Sequence, residues 1–522
     1  MNNKKEQERN ELHKTIWNAA TEFVHGGIVS AWDFKEYFLG IMFYRFISEN
    51  ITEYINKMEP EENFDYSKIS DKMAKFGKEQ TIAEKGFYIL PSELFGNVRK
   101  RAKQDENLNT TLSNIFNNIE NSAKGTASEN DLKGLFSGIN VNSDSLGETV
   151  KEKNKVLAKL LDVIGDLKLG NYFDNTIDAF GDAYEYLMSM YAATAGQKGG
   201  EFFTPQEVGE LLARIVIMDK TSVNKVYDPC CGSGGLLLKF AKILGKDNVK
   251  QGFFGQEKNL TTYNLCRINM FLHDINYNKF NIARGDTLKE PKHWDDEPFD
   301  AIVSNPPYSI PWEGKKNPLL INDERFSPAG ILAPASKADL AFTMHMLSWL
   351  SEKGTAAIVE FPGVLHRSGA EEKIRKYLVE NNFVDAVIQL PKDLFFGTGI
   401  DTCIIVLKKS KKDNEVLFVD ASTEFVRNDT KNKLTGENIK NIVELIKDRN
   451  NLQYKSILIS NEVIIKNKSN LSVNAYLKQQ IKEEKIDIKE LNNNIKEIVK
   501  KENKLRESLE KIIEELEVMY SE

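Results

Sequence analysis

Four consecutive residues, Asn305-Pro306-Pro307-Tyr308, closely follow the apolar run Phe299-Asp300-Ala301-Ile302-Val303, which reads as a strand. Two prolines remove backbone donors and stiffen the turn. They leave the Pro306 carbonyl unpaired within the turn and hold the Asn305 side chain beside it. Two acceptors, the Asn305 amide oxygen and the Pro306 carbonyl, then converge on one point. An exocyclic NH2 group offers the two matching donors. Holding both N–H bonds off the ring plane draws the nitrogen toward sp³ and localises its lone pair for attack on an electrophilic methyl. Tyr308 can stack on the planar group that bears the amine. The alternative, a loop that is merely rigid, leaves four specified residues at a strand end unexplained.

A second segment, Asp228-Pro229-Cys230-Cys231-Gly232-Ser233-Gly234-Gly235, closes the strand Lys225-Val226-Tyr227 and opens a helix over Leu236–Leu244. Glycines there let the backbone approach a ligand closely, and a helix start presents free N–H groups. Phosphate fits badly, because there is no G-x-x-x-x-G-K-[ST] loop and the spacing G-x-G-x-x-G is not met. An acid at the strand's last residue repels phosphate and attracts an ammonium, which favours a cationic, amino-acid-like cofactor. The same turn also serves simple packing of a helix on a strand. Glu257 ends the next strand, where a carboxylate commonly accepts from ribose hydroxyls; its plain alternative is a solvated acid. Asp286, in Arg284-Gly285-Asp286-Thr287-Leu288, closes a third strand region. It can accept from an adenine amino group or act as a helix N-cap or turn acid.

These side chains need a scaffold that brings strand ends together. Gly252-Phe253-Phe254-Gly255 ends a second strand, followed by a helix over Leu260–Phe271. After Phe299–Val303 come a helix (Leu340–Leu350), a strand (Thr355–Glu360), a helix (Ala370–Glu380), a strand (Val384–Leu390) and a last strand (Thr402–Leu407). The alternation predicts a Rossmann-like, doubly wound α/β sheet with its ligand beyond the carboxyl ends of the strands. From Leu12 to about Tyr191 apolar residues recur at three- and four-residue spacing, which predicts a separate helical domain. From Ile481 onward, Ile488, Leu491, Ile495, Ile498, Leu505, Leu509, Ile512, Leu516 and Met519 hold a heptad frame that Glu484 and Glu502 interrupt. Such a seam suits a coiled coil, a partner-docking helix or a helix packed on its own protein. The expected organisation is a helical domain at 1–190, a catalytic α/β domain at 191–410, a connecting region at 411–475 and a long C-terminal helix at 476–522.

With 522 residues, 41% hydrophobic and 28% charged, the chain reads as a multidomain globular protein. Its net charge of −7 is unusual for a protein that grips nucleic acid alone. Positive charge must then be local or borrowed from a partner. The run Arg99-Lys100-Arg101-Ala102-Lys103 can touch phosphate, although such runs are more often solvated faces. Cys230, Cys231, Cys266 and Cys403 contain no C-x-x-C pair, so neither a disulfide framework nor a metal site is expected. No apolar run approaches the roughly 18 residues of a membrane span, and the polar N-terminus lacks a secretory pattern. A reducing, cytoplasmic setting is expected.

With these segments in place, the chain resembles the S-adenosylmethionine-dependent amino-methyltransferases, and most closely the modification subunits of type I restriction–modification systems. Gly199-Gly200-Glu201-Phe202-Phe203-Thr204-Pro205 precedes the glycine turn, as in the γ ordering of N6-adenine DNA methyltransferases. Leu394-Phe395-Phe396-Gly397-Thr398-Gly399-Ile400 and Asp401-Thr402-Cys403 look like the family's late loop and hairpin strand. The resemblance implies methyl transfer from S-adenosylmethionine to adenine N6 in DNA. It places Phe203, Thr204 and Pro205 at the methionine end of the cofactor, with Glu201 and Phe202 also binding the cofactor and Asp228 near the ammonium. It assigns Cys230, Gly232, Ser233, Gly234 and Gly235 to the cofactor turn, Glu257 to the ribose and Asp286 to the adenine. Asn305, Pro306, Pro307 and Tyr308 would grip the flipped base, with Phe395 or Phe396 as the pocket's other wall. It further implies a separate specificity subunit that reads DNA, a restriction or motor subunit, and two copies of this chain per specificity subunit. After the strand near Leu407 no large DNA-reading domain is expected. Cytosine N4 is a second possible target. Protein-glutamine and RNA amino-methyltransferases share the Asn-Pro-Pro-Tyr device, and a cofactor-binding assembly subunit is the non-enzymatic alternative.

Overall fold

Nine strands share one sheet, and the order in which the chain visits them decides where a ligand can sit. The computed structural model describes residues 2–24, 31–61, 63–169, 179–194, 204–395, 401–428, 431–478 and 488–519. The strands are β1 (Val223–Asp228), β2 (Val249–Glu257), β3 (Phe280–Arg284), β4 (Phe299–Ser304), β5 (Leu350–Glu360), β6 (Val384–Gln389), β7 (Cys403–Leu407) and β8 (Glu415–Asp420). β9 (Val426–Asn428) and β10 (Lys431–Lys433) form a small separate ribbon, and β11 (Ser456–Ser460) completes the large sheet. Its spatial order is β11-β8-β6-β7-β5-β4-β1-β2-β3. β1 to β5 pair in parallel, β7 lies antiparallel between β5 and β6, and β8 pairs in parallel with β6. After β3 the chain returns to the far side of β1, so its direction across the sheet reverses between β1 and β4. Connections diverge at such a point and leave a crevice beyond the carboxyl ends of the two strands.

Successive strand residues face opposite sides of a sheet. Val226, Val303, Val359 and Ile388 accordingly enter one apolar cluster, while Tyr227, Ile302, Ile358 and Val387 enter the other. Burial on both faces is why β7 is apolar and buried at every position. The described part of the first 194 residues is helical, as its periodicity predicts. Ile41, Phe43 and Leu161 from this region join the same cluster as Val226, and everything through Leu477 forms one unit.

A buried cation ties the helical region to the sheet. Arg267, 1% exposed on the helix Leu260–Leu272, donates to the carbonyls of Asn130, Asp131 and Lys133 at 2.8, 3.1 and 3.0 Å. Asn264 Nδ2, one turn earlier, donates to the Gly134 carbonyl at 3.0 Å. Burial pushes the Asp131 carboxyl up to about 7, against the pull of Arg267.

The strand at 403–407 is not the sheet's last, since the stretch expected as a connecting region supplies β8 and β11. β11 is a short edge strand, half-buried along most of its length, and leaves little periodicity to read. The tail forms a second unit with one helix, Ile488–Met519, whose Ile495, Ile498, Leu505 and Leu509 are exposed. Ile481 and Glu484 lie outside the described residues. Among the described residues no helix is long and apolar enough to cross a membrane.

Arg267→Met leaves three carbonyls without their donor and is expected to lower stability by about 3 kcal/mol. It should also open the 129–137 stretch to protease before the sheet unfolds. An unchanged melting temperature with an unchanged cleavage pattern would contradict this account of the docking.

Candidate active site

The site begins with a carboxylate that has no access to water. Asp228, the last residue of β1, is 0% exposed. Its Oδ1 accepts from the Cys230 amide at 3.0 Å and from Ser304 Oγ at 2.9 Å. Its Oδ2 has no hydrogen-bond partner. Burial pushes the Asp228 carboxyl up to about 7, with the two hydrogen bonds opposing and Glu257 adding to the rise.

The glycine turn wraps around this acid because side chains are excluded there. Gly234 has φ of 81°, and a Cβ on it would stand 2.8 Å from Cys266 Sγ. Gly235 then opens the helix Gly235–Leu244. Glu257, ending β2, accepts the Gly232 amide on Oε2 at 3.1 Å and the Asn259 amide on Oε1 at 2.7 Å. Burial raises its pKa. Asp286 accepts the Leu288 amide at 3.2 Å and pairs with Lys258 Nζ at 2.9 Å. It is a turn acid that also faces the cavity described below.

The Asn305–Tyr308 turn leaves β4 immediately beside β1. Asn305 Nδ2 donates to Thr204 Oγ1 at 3.0 Å, and the Tyr308 hydroxyl donates to Asn305 Oδ1 at 2.5 Å. The amide is thereby oriented from both ends. An amide oxygen has two lone pairs, so Oδ1 keeps one acceptor position. Among the described residues no hydrogen bond is made to the Pro306 carbonyl.

Two cavities meet at this turn and share Cys230, Gly232 and Asn305. The smaller, about 40 Å³, is lined by Thr204, Gln206, Asp228, Ser233, Asn269 and Asn305 among others. Three of its buried acceptors have no partner: Gln206 Oε1, Asp228 Oδ2 and Asn269 Oδ1. Three orphan acceptors around one carboxylate match the three N–H donors of an ammonium. The larger cavity, about 520 Å³, includes Pro229, Glu257, Asp286, Asn305, Pro307 and Phe342 in its lining. Its carboxylates and apolar walls suit hydroxyls and a planar ring. The residues present therefore fit an amino-acid nucleoside such as S-adenosylmethionine.

Among the predicted site residues, Thr204, Asp228, Cys230, Gly232, Ser233, Gly235, Glu257, Asp286, Asn305 and Pro307 line one or both cavities. Pro205 is buried and caps the helix Gln206–Val216. Phe395 is 2% exposed in an apolar cluster against which Tyr308 also packs, and it lines neither cavity. Glu201, Phe202, Phe203 and Phe396 lie outside the described residues. Gln206, Asn269 and Phe342 were not predicted. A buried asparagine within an apolar helix was the one available signal, at Asn269. A larger cavity, about 970 Å³, lies in the helical region and contains part of the basic run. There Arg99 pairs with Asp162 and Asp166, and Lys103 with Asp162, which neutralises two of the run's four cations.

The N-6 DNA methylase model matches residues 175–485, and the HsdM N-terminal domain model matches residues 12–164. The type I restriction enzyme MpnII methylase subunit of Mycoplasma pneumoniae is 46% identical, covering 99% of this chain and 98% of its own. The MjaVII methylase subunit of Methanocaldococcus jannaschii is 31% identical over 77% of this chain and 68% of its own. The solved methyltransferase subunit of a Streptococcus thermophilus type I restriction–modification system superposes with a TM-score of 0.81 at 32% identity. It covers 90% of this chain and 99% of its own.

Asp228 makes stability depend on pH. Its folded pKa of about 7 exceeds the unfolded value, so the bound proton stabilises fully at low pH and that contribution is lost as pH rises toward 7. In the unliganded protein the loss amounts to about 4 kcal/mol. Asp228→Asn, which cannot ionise, should remove it. Urea unfolding of both proteins across this range tests the point, and parallel curves would contradict it.

Proposed function

We propose, from the premise that the chain belongs to the N-6 DNA methylase family as a type I restriction–modification methylase subunit, that this site methylates adenine N6 in DNA. The observation that carries the reading is the Asn305 amide, oriented from both ends and set in the lining the two cavities share.

The chain's own residues do three things in this reaction. Asp228, Gln206 and Asn269 accept from the ammonium of S-adenosylmethionine, while Glu257 takes the ribose hydroxyls and Asp286 the adenine amino group. Thr204 and Pro205 close the methionine end together with Glu201, Phe202 and Phe203. Bound there, the cofactor supplies an electrophilic methyl on a sulfonium. Asn305 Oδ1 and the Pro306 carbonyl accept the two N–H bonds of the target amine and hold its lone pair toward that methyl. Tyr308 stacks on the flipped base and, through its hydroxyl, keeps the Asn305 amide in register. Pro307 stiffens the turn. The amine loses its proton after, or as, the methyl arrives, so no general base is assigned.

Recognition of the DNA sequence belongs to a specificity subunit, and a restriction or motor subunit joins the same assembly. Two copies of this chain serve one specificity subunit, and the complex works in the cytoplasm. Charge supports this division: the chain carries −7 overall, and two cations of the run 99–103, Arg99 and Lys103, are paired with acids.

Asn305→Ala removes one acceptor of the pair without touching the orphan acceptors of the small cavity. Methyl transfer by the assembled complex should fall by roughly a hundredfold or more, with cofactor binding and assembly retained. Unchanged methylation in that complex would refute the assignment.

A further inference from the structure

One buried cation has no role so far. Arg325 is 1% exposed and belongs to the stretch between the catalytic turn and the helix Asp339–Trp349. A guanidinium carries five N–H donors in a fixed plane and has no acceptor. Arg325 spends each of them on a different protein atom. Nε donates to Asp323 Oδ1 at 3.0 Å and Nη2 to Asp323 Oδ2 at 2.8 Å, a bidentate pair that balances the charge. Nη2 also donates to the Leu288 carbonyl at 2.9 Å, and Nη1 to the Thr287 carbonyl at 2.8 Å. The last donor faces His345 Nδ1 at 3.4 Å. That nitrogen is therefore the acceptor, and the ring's proton sits on Nε2, which faces the Tyr227 hydroxyl of β1 at 3.0 Å. Burial first, then the charges of Arg325 and His293, hold the His345 pKa well below its usual range and keep the ring neutral.

The two carbonyls that Arg325 holds belong to the turn that carries Asp286. Asp286 Oδ1 accepts the Leu288 amide at 3.2 Å, and Thr287 Oγ1 donates to the Pro229 carbonyl at 2.5 Å. Pro229, Asp286 and Thr287 all line the larger cavity. This part of the wall is thus tied on one side to the glycine turn and on the other to Arg325. The stretch that carries Arg325 is anchored in its own right. The Ile310 carbonyl accepts the Ala338 amide at 2.9 Å, and the Trp312 amide donates to the Ala335 carbonyl at 3.0 Å. The Trp312 ring meets Phe326 edge-on, and the Phe326 ring centre lies 4.7 Å from the guanidinium carbon. Arg325 lines neither cavity and has no donor left for a ligand. What it can do is fix the position of the turn it holds. A lysine, with three donors on a compact charge, cannot reproduce that grip.

We infer that Arg325 is a positioning residue for the cofactor: through the Thr287 and Leu288 carbonyls it locks the turn that aims Asp286 at the adenine amino group. The carboxylate then meets its ligand already in place, so no ordering of the turn is charged against binding. Arg325 touches neither the methyl donor nor the target amine. Its work therefore shows in cofactor affinity, and not in the rate of transfer once the cofactor is bound. The inference rests on the reading of Asp286 as the acceptor for the adenine amino group.

The test compares wild type, Arg325→Lys and Arg325→Met in the complex with the specificity subunit. Binding is measured for S-adenosylmethionine and for its deamino analogue, which carries purine in place of adenine. Single-turnover methyl transfer is measured at saturating S-adenosylmethionine. Wild type should prefer S-adenosylmethionine over the analogue by about tenfold or more. Both variants should raise the Kd of S-adenosylmethionine by about tenfold, while the Kd of the analogue and the saturated rate stay within about threefold of wild type. An unchanged Kd overturns the inference. So does an equal rise for both ligands, the mark of a residue that only supports the fold, or a fall confined to the saturated rate. If the variants do not fold, amide hydrogen exchange of the wild type decides. S-adenosylmethionine should slow exchange at 286–290 and at 323–327 together, and protection of the first stretch alone overturns the inference. A wild-type complex that binds both ligands equally would instead defeat the reading of Asp286 on which the inference stands.

Discussion

One hydrogen bond joins the two halves of the chemistry. Ser304, the last residue of β4, donates its hydroxyl to Asp228, the last residue of β1, at 2.9 Å. The same Asp228 oxygen accepts the Cys230 amide and so anchors the glycine turn. The turn that would hold the methyl donor and the turn that would hold the amine therefore leave adjacent strands from a common, dry point. Preorganisation of this kind matters because methyl transfer needs close, in-line approach more than it needs a strong acid or base. The sheet order makes it possible, since only where the chain reverses between β1 and β4 do two parallel strands end beside an open crevice.

The electrostatics around that point suit a cation and a neutral amine, and disfavour a polyanion. Asp228 and Glu360 are buried acids and Glu257 a half-buried one, all with raised pKa values, and the small cavity offers acceptors without cations among its described lining. A DNA backbone gains little there. Binding the duplex through other subunits, with only the flipped base entering this chain, reconciles an acidic protein with a nucleic-acid substrate.

Much of this was legible in the sequence, because strongly patterned segments carry their own evidence. Asp228–Gly235 and Asn305–Tyr308 both lie at strand ends, as their flanking apolar runs predicted, and the helix Ala370–Glu380 matches its expected bounds. What was not legible depends on distant pairing. β8 and β11 are short strands whose place in the sheet comes from neighbours tens of residues away, so the stretch after Leu407 read as a connection. Gln206, Asn269 and Phe342 are ordinary helix residues until three separate helices bring them to the cavities. Phe395 shows the converse, since an aromatic residue in a promising loop can be spent on the core. The heptad frame of the tail predicted a helix, and Ile488–Met519 is one, but a seam does not name what it docks on.

The most direct test of the central claim is tritium transfer from labelled S-adenosylmethionine to DNA, followed by nucleoside analysis, with this chain alone and with its specificity subunit. Label in N6-methyladenine only when the specificity subunit is present is the predicted result. Label confined to protein or RNA, with none in DNA under either condition, would contradict the account.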